Sequence, residues 1–474
     1  MLKQQLKYQP NTAHLFERIA HRPWAIFLDS GRPKSEYGRF DILVADPFVT
    51  ISTIESDVEV LPRVRTEIIQ NGLKTISHED PFAILNRLLA SYQAEQSNNL
   101  PFAGGAVGYF SYDLARQLEH LPMLAQKDLS VPHMMVGIYD WAVLVDHQEQ
   151  TACLVSHGFQ QSTHDHWQSL CDLFDKPTAL ANAEIKLRVD FSLTSAVTSN
   201  MSFSQYSLAF QAVKNYITKG DCYQVNLAQR FSARASGDGW LAYQKLREIS
   251  PAPFMAYMDF GFLQVLSGSP ERFLQVIGSH VETRPIKGTR PRSDDLMQDR
   301  KLASDLQSSI KDQAENLMIV DLLRNDISKN CKIGSVQANK LFQLQSFANV
   351  HHLVSIITGR LAVGKTAIDL LRGCFPGGSI TGAPKLRAMQ IIEALEPHRR
   401  GVYCGAIGYI GFDGNMDSNI AIRTAVYSVA ADGEGEISFY SGGGIVADSD
   451  LEKEYAETLD KASSLLKTMQ YFQR

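Results

Sequence analysis

The chain has 474 residues, 44% hydrophobic and 20% charged, with 46 Lys plus Arg against 51 Asp plus Glu and a formal net charge of -5. Such a length and apolar content support a large buried core, and the acidic balance excludes a general attraction for nucleic acid, so any anionic substrate must be drawn by local positive charge. The first ten residues lack the apolar run of a signal peptide, no stretch reaches the roughly 18 to 20 apolar residues of a membrane span, and the six cysteines form no CxxC pair or zinc spacing. A cytoplasmic enzyme with reduced, mostly buried cysteines is expected, with no nucleic acid or membrane as partner.

Residues 1–160 carry short apolar runs, Trp24 to Leu28, Ile42 to Ala45 and Val136 to Tyr139, punctuated by Asp, Gly and Pro, which read as strands of a β-rich first region. Residues 160–202 turn polar, and the boundary falls there. From Ser202 the apolar spacing of Tyr206, Phe210 and Ile217 predicts a helix, followed by a strand from Tyr223 to Ala228. Helices and strands then alternate through a second region, 202–470.

Within it, residues 284–292 set Lys287 between a stiff Pro285-Ile286 entry and a Gly288-Thr289 exit, with Arg284, Arg290 and Arg292 nearby. A solvated lysine has a pKa of about 10.4 and is a poor nucleophile at neutral pH, whereas desolvation or flanking cations bring it toward roughly 7 to 8. Glu315 lies on an amphipathic helix whose apolar positions Leu317, Met318, Val320, Leu322 and Leu323 point to a core, with Asp312 three residues earlier. The C-terminal helix repeats this, Glu454 and Glu457 running beside the stripe Leu451, Tyr455, Leu459, Ala462, Leu466 and Met469. Four gathered carboxylates would repel unless a cation lay between them, and all-oxygen ligation suits Mg²⁺. Gly359 to Thr366 fits a phosphate-loop pattern, but Leu361-Ala362-Val363 read as continued strand, and nucleotide binding is rejected. Arg423, in the strand-like run Asn419 to Val426, requires a buried anion, either an internal carboxylate or that of a substrate. Gly442-Gly443-Gly444 reads as a turn whose NH groups can approach a carboxylate closely.

Together these blocks resemble the chorismate-utilizing enzymes, the family of anthranilate, aminodeoxychorismate and isochorismate synthases. The likeness is carried by Gly220 to Leu227, Ser269 to Phe273, Pro285 to Arg290, Ala314 to Leu322, Val350 to Ser355, Gly382 to Lys385 and Gly442 to Val446 with Glu454 and Glu457. It implies an α/β class with one large chorismate-utilizing-enzyme fold, in which two packed, mainly antiparallel sheets are flanked by helices. It further implies Mg²⁺ held by Glu315 and Glu457 with Glu454 and Asp312 close by, substrate contacts from Thr289, His352, Tyr403, Arg423 and Gly442 to Gly444, and Glu271 as the general acid. Anthranilate synthases usually carry alanine where this chain has Lys287, and isochorismate and salicylate synthases carry a water-activating lysine where it has Gln224. The resemblance therefore implies amination of chorismate at C4 through Lys287, giving 4-amino-4-deoxychorismate for 4-aminobenzoate and folate synthesis, with anthranilate synthesis as the alternative. Cys404 lacks a nucleophile-elbow setting, so ammonia is expected from a separate glutaminase component. Ser30, Tyr37, Gly38, Arg39, Phe40, Pro253, Phe254 and Met255 match positions that bind tryptophan in relatives, as a regulator or a structural ligand.

Overall fold

The computed structural model describes residues 1–35, 38–56, 64–95, 100–175, 189–346, 350–430 and 433–473. Two large sheets dominate. The first runs, edge to edge, through Leu2–Leu6, Thr151–Ser156, Trp141–Asp146, Phe40–Val44, Ile26–Asp29, Phe254–Asp259, Leu263–Ser269, Thr424–Val429, Glu434–Ile445, Gln224–Ser236 and Ser192–Leu193. The second runs through Ile286–Pro291, Val350–Arg360, His280–Thr283, Arg272–Ile277, Met416–Ile420, Ala406–Gly411, Gly105–Phe110, Met134–Tyr139, Val49–Glu55, Val64–Gln70 and Leu73–Ser77. Each sheet draws strands from before residue 160 and from after residue 202. In the polar stretch between them the structure places a helix, Gln161–Asp175, and two short strands that pair with Gln224–Ser236.

The strand periodicity shows why the apolar runs are continuous. In Trp141–Asp146, Ala142 and Leu144 enter the core between the sheets, while Trp141, Val143 and Val145 enter the core beneath the outer helices. Both faces are buried, so no polar alternation remains. Helices 161–175, 239–249 and 451–471 cover the first sheet, and helices 81–90, 310–328 and 367–374 cover the second, giving four layers. The helix expected after Ser202 spans Phe203–Thr218 and opens with a capping box in which Ser202 and Gln205 satisfy each other's backbone NH groups.

Five local expectations are corrected. The strand expected across Asn419 to Val426 is two strands, Met416–Ile420 and Thr424–Val429, because Arg423 takes a left-handed backbone with φ 50°. Gly442 to Gly444 are not a turn but part of Glu434–Ile445, where a Cβ on Gly442 would meet the Leu227 carbonyl at 2.5 Å. On helix 310–328 the buried line is Asn316, Ile319, Val320, Leu323 and Ile327, and Leu317 is exposed. On helix 451–471 it is Glu454, Thr458, Ala462, Leu465 and Met469, while Leu459 is partly exposed. In both helices a polar side chain takes an inward position that apolar spacing alone assigns to a neighbour. The continued strand expected at Leu361 to Val363 is also absent: Val350–Arg360 ends inside the phosphate-loop-like pattern, Leu361 keeps only an isolated bridge to Cys331, and Thr366 is spent on capping helix 367–374 with Asp369.

Candidate active site

The chain crosses from the first sheet to the second between Leu263–Ser269 and Arg272–Ile277, and it crosses back between Met416–Ile420 and Thr424–Val429. Glu271 lies in the first crossing and Arg423 in the second. The two crossings are laced together: Ile420 NH donates to the Glu271 carbonyl at 3.0 Å, Ser269 Oγ to the Ile420 carbonyl at 2.6 Å, and Gly268 NH to the Arg423 carbonyl at 2.9 Å. The backbone positions of an acid and a guanidinium far apart in sequence are thus laced together at a seam between sheets.

Lys287 reaches this seam from the edge strand Ile286–Pro291. A β-bulge falls between Lys287 and Thr289, placing Lys287 opposite Leu353 and Thr289 opposite His352. Gly288 supplies the positive φ of 78° that the bulge needs, and a Cβ there would lie 2.8 Å from Leu306. Lys287 Nζ donates to the Ser379 carbonyl at 3.1 Å. Burial, then the charge of Lys461, lowers its pKa, against the opposing pull of Glu271, Glu315 and Glu457. Burial also raises the pKa of the Glu271 carboxyl, against Lys287 and a hydrogen bond from Ser379. Both shifts favour an uncharged amine beside an uncharged acid, the tautomer of the ion pair that can attack and donate a proton. Ser379, which touches both partners, was not singled out from the sequence; its place in Gly377-Gly378-Ser379, just ahead of the Gly382 to Lys385 block, was the available signal.

Thr289 and His352 lie on the strand that carries Lys287 and on its partner. Thr289 Oγ1 and His352 Nδ1 are 2.9 Å apart, and burial with the charges of Arg423 and Lys461 pushes the His352 pKa down to about 3, so its ring is neutral. Arg423 is part-buried, its pKa lowered by burial, and it has no carboxylate within ion-pair range among the described residues. This leaves its guanidinium for an anion from outside. Tyr403 is buried and stacks on Tyr440, ring centroids 5.3 Å apart at 12°. Gln224 is 1% exposed, and neither its amide nitrogen nor its amide oxygen has a partner; a Cβ on Gly444 would meet that nitrogen at 2.3 Å.

The acids expected to hold a metal lie on one side of this cluster. Glu454 and Glu457 face Gly443, where a Cβ would stand 3.2 Å and 3.6 Å from their oxygens. Burial raises the pKa of Glu315, with Asp312 and Glu454 adding to the effect, and burial raises that of Glu454, with Glu457 adding. Carboxylates that raise one another suit a hard cation in donor chemistry. Side-chain cations now stand against three of them: Lys461 pairs with Glu457 at 2.6 Å, Lys311 lies 3.8 Å from Glu315, and Arg290 pairs with Asp312 at 2.9 Å. Glu457 thereby falls below the ordinary range, Lys461 and Lys287 outweighing burial. Among the described residues no three acidic, His or Cys side chains converge closely enough to hold a metal ion as placed. Lys461, four residues after Glu457, also donates to the Gly442 carbonyl at 3.1 Å and is a second site residue that sequence reasoning did not name.

The tryptophan-matching residues lie elsewhere, along a cleft of about 1040 Å³ whose walls include Gly38, Arg39, Phe40, Pro253, Phe254 and Met255. Ser30 sits behind Gly38 and gives its hydroxyl and NH to Asp41, while Arg39 forks onto Asp146 and covers Phe40 at 4.6 Å. Tyr37 falls outside the described residues. All six cysteines are free and buried. Among the described residues no helix is long and apolar enough to cross a membrane.

The chain belongs to the chorismate binding enzyme family, whose sequence profile matches residues 25–467. It is 46% identical to aminodeoxychorismate synthase component 1 of Escherichia coli over 96% of this chain and 95% of the relative, and 36% identical to the protein of that name in Bacillus subtilis over 96% and 94%. Anthranilate synthase component 1 of Aquifex aeolicus matches at 34%, over 94% of this chain and 89% of the relative. Among solved structures, anthranilate synthase component I from Streptococcus pneumoniae superposes with a TM-score of 0.76 at 32% identity, covering 91% of this chain and 92% of that one. The menaquinone-specific isochorismate synthase of Escherichia coli, 18% identical with a TM-score of 0.71 over 99% and 94%, shares the fold.

Proposed function

We propose that this chain is the chorismate-aminating component of an aminodeoxychorismate synthase, converting chorismate and ammonia to 4-amino-4-deoxychorismate on the way to 4-aminobenzoate and folate. The observation that carries the reading is the buried Lys287 amine, held on the Ser379 carbonyl beside the Glu271 carboxyl, together with the greater identity to aminodeoxychorismate synthases than to anthranilate synthases. Arg423, with Thr289, His352 and Gly442 to Gly444 around it, seats the substrate carboxylates. Mg²⁺ would be held by Glu315 and Glu457, with Glu454 and Asp312 near, once Lys461 and Lys311 release them, and when bound it supplies charge that neutralises a substrate carboxylate. The neutral Lys287 amine forms a bond to C2, the two ring double bonds shift, and the C4–O bond breaks as Glu271 gives its proton to the departing hydroxyl, which leaves as water. Ammonia then bonds to C4, the double bonds shift back, and the C2–N bond breaks to restore Lys287. The uncharged, unpartnered Gln224 amide has no basic group with which to activate water as a competing nucleophile.

Ammonia comes from a glutaminase component, and tryptophan occupies the cleft at Phe40 and Pro253 to Met255. The deciding experiment supplies purified chain with chorismate, Mg²⁺ and ammonium and identifies the product by mass and absorbance. The 4-amino product is expected; fluorescent anthranilate as the main product would replace this reading with the alternative one.

A further inference from the structure

Arg400 and Glu396 form an ion pair whose side chains are 1% and 3% exposed, joined by two bonds, Nε to Oε2 at 2.9 Å and Nη2 to Oε1 at 2.7 Å. Taking two charges out of water costs as much as their attraction returns or more, and apolar replacement of both partners is often neutral or stabilising. Stability is therefore a weak reason for this pair, and its other bonds show what else it does. Arg400 Nη1 donates to the Ile380 carbonyl at 3.0 Å, and Nη2 donates to the Asn226 carbonyl at 2.8 Å. Glu396 Oε1 accepts from Ala228 NH at 2.9 Å. The guanidinium also lies over the rings of Tyr112 and Tyr403, 4.9 and 5.7 Å from their centroids.

The backbone attachments sit beside groups of the candidate site. Ile380 follows Ser379, whose carbonyl holds the Lys287 amine at 3.1 Å. Because peptide units are planar, only the two backbone torsions of Ile380 lie between these carbonyls, so gripping the second restricts the aim of the first. Asn226 and Ala228 stand opposite Gly444 and Gly442 in the strand register. Asn226 NH in turn donates to the Thr381 carbonyl at 2.8 Å, tying the strand to the turn a second time. A neighbouring pair shows that burial alone does not produce this pattern. Glu393, three residues earlier on helix Lys385–Leu395, is also buried and pairs with Arg116, yet its Oε1 accepts from Leu124 and Ala125 NH at 2.9 and 3.1 Å, in a stretch that supplies none of the site residues.

We propose that the buried Arg400–Glu396 pair is a positioning pair for the amination: it clamps the turn Gly378–Ile380 to strand Gln224–Ser236, so that the Ser379 carbonyl presents the Lys287 amine to C2 of chorismate. The inference rests on the reading of Lys287 as the nucleophile. Both residues act through the turn and the strand they join, not on the reacting atoms.

The test uses the full chain and follows the melting temperature, the single-turnover rate of adduct formation on Lys287 with ammonia withheld, and kcat against KM for chorismate with ammonium. The deciding variant carries Glu396→Leu and Arg400→Met together, because either substitution alone leaves one buried charge unanswered and the doublet leaves neither. Arg400→Lys is the second variant, since it keeps a positive charge toward Glu396 and loses the fork that reaches the Ile380 and Asn226 carbonyls. Both are expected to slow adduct formation and kcat by about 10- to 100-fold with KM within about twofold of the parent, the pattern of a misaimed group in a site that still binds its substrate. Glu393→Gln is the control, expected to keep the parent's adduct rate and kcat. A parent adduct rate in either folded variant overturns the positioning role, as does a rise in KM at unchanged kcat or an equal loss in Glu393→Gln, which marks general loosening of the helix. Failure of both variants to fold marks the pair as scaffold and overturns the proposal as well. Absence of any adduct in the parent chain instead strikes the reading of Lys287 itself and is seen before a variant is made.

Discussion

The seam between the sheets and the cleft at Phe40 and Pro253 to Met255 both carry charge, yet they treat it differently. Most charges that line the cleft have their answer: Arg272 forks onto Asp417 at 3.0 and 2.9 Å and reaches Glu282 at 3.0 Å, Asp29 is held by Arg247 at 2.6 Å, and Arg39 forks onto Asp146. At the seam Arg423 has no carboxylate within ion-pair range among the described residues, Gln224 has neither amide atom satisfied, and the Lys287 amine rests on one carbonyl. Leaving buried polar groups unmatched costs roughly 1 to 3 kcal/mol each, a cost a fold retains where a ligand completes the set. Unmatched buried polar atoms also occur away from the seam, as at Tyr206, Gln264 and Arg18, so what sets the seam apart is a part-buried guanidinium with no carboxylate in range among the described residues.

The sharpest way to break that contrast is at the seam itself. Lys287→Ala should abolish a covalent adduct of chorismate carbon skeleton seen by intact-mass analysis during turnover with ammonia withheld, and remove most 4-amino product; an undiminished rate would reduce Lys287 to an electrostatic aid. Glu271→Gln should slow product formation by about 10² to 10⁴, the usual worth of a positioned proton donor, with the adduct forming slowly rather than not at all. Glu315→Gln and Glu457→Gln should each lose most activity with the fold intact and recover part of it in excess Mg²⁺. Near-normal turnover at low Mg²⁺ in either variant would rule out that carboxylate as a ligand.

A gentler probe is pH. Lys287 must be neutral, so the rate should fall as pH drops through its lowered pKa, and Glu271 must be protonated, so the rate should fall as pH rises through its raised one. A bell-shaped profile of single-turnover adduct formation is expected, its two limbs belonging to the coupled pair. Loss of the alkaline limb in Glu271→Gln would assign it; an unaltered limb would place the acid elsewhere. The smallest effects belong to the cleft. Arg39→Met breaks an ion pair that is 44% exposed on the Arg39 side and should cost under about 1 kcal/mol in urea unfolding with unchanged turnover. Added tryptophan should raise the melting temperature of the parent chain, or be found in the denatured protein as purified.

Much of this contrast was legible in the sequence, because the local signals are strong. The apolar spacing of Tyr206, Phe210 and Ile217 announces a helix from Ser202, Pro285-Ile286 and Gly288-Thr289 mark Lys287 as held, and the doubly buried strands appear as unbroken apolar runs. What spacing could not supply is which polar groups find partners. The inward turn of Glu454 and Asn316 depends on what faces each helix from the sheet, so apolar stripes drawn through Leu459 and Leu317 missed the buried lines. The break at Arg423 depends on the chain changing sheets, which no window of a few residues contains. Ser379 and Lys461 bear on Lys287 across about 90 and 170 residues of chain, a distance that local spacing does not read.

The interleaving of the sheets also governs how the chain is made. Ile26–Asp29 pairs with Phe254–Asp259, and Gly105–Phe110 pairs with Ala406–Gly411. At roughly 5 to 20 residues per second of synthesis, the inner edge of Gly105–Phe110 waits on the order of 15 to 60 seconds for its partner to leave the ribosome. During that interval buried-type strands stand with open edges, the condition under which nascent chains bind chaperones or associate with one another. A ribosome-bound chain stalled after residue 350 should therefore be protease-sensitive across residues 105–139 and gain protection once residue 411 has cleared the exit tunnel. The arrangement that lets two distant crossings share one active site obliges the chain to be almost finished before any of that site exists.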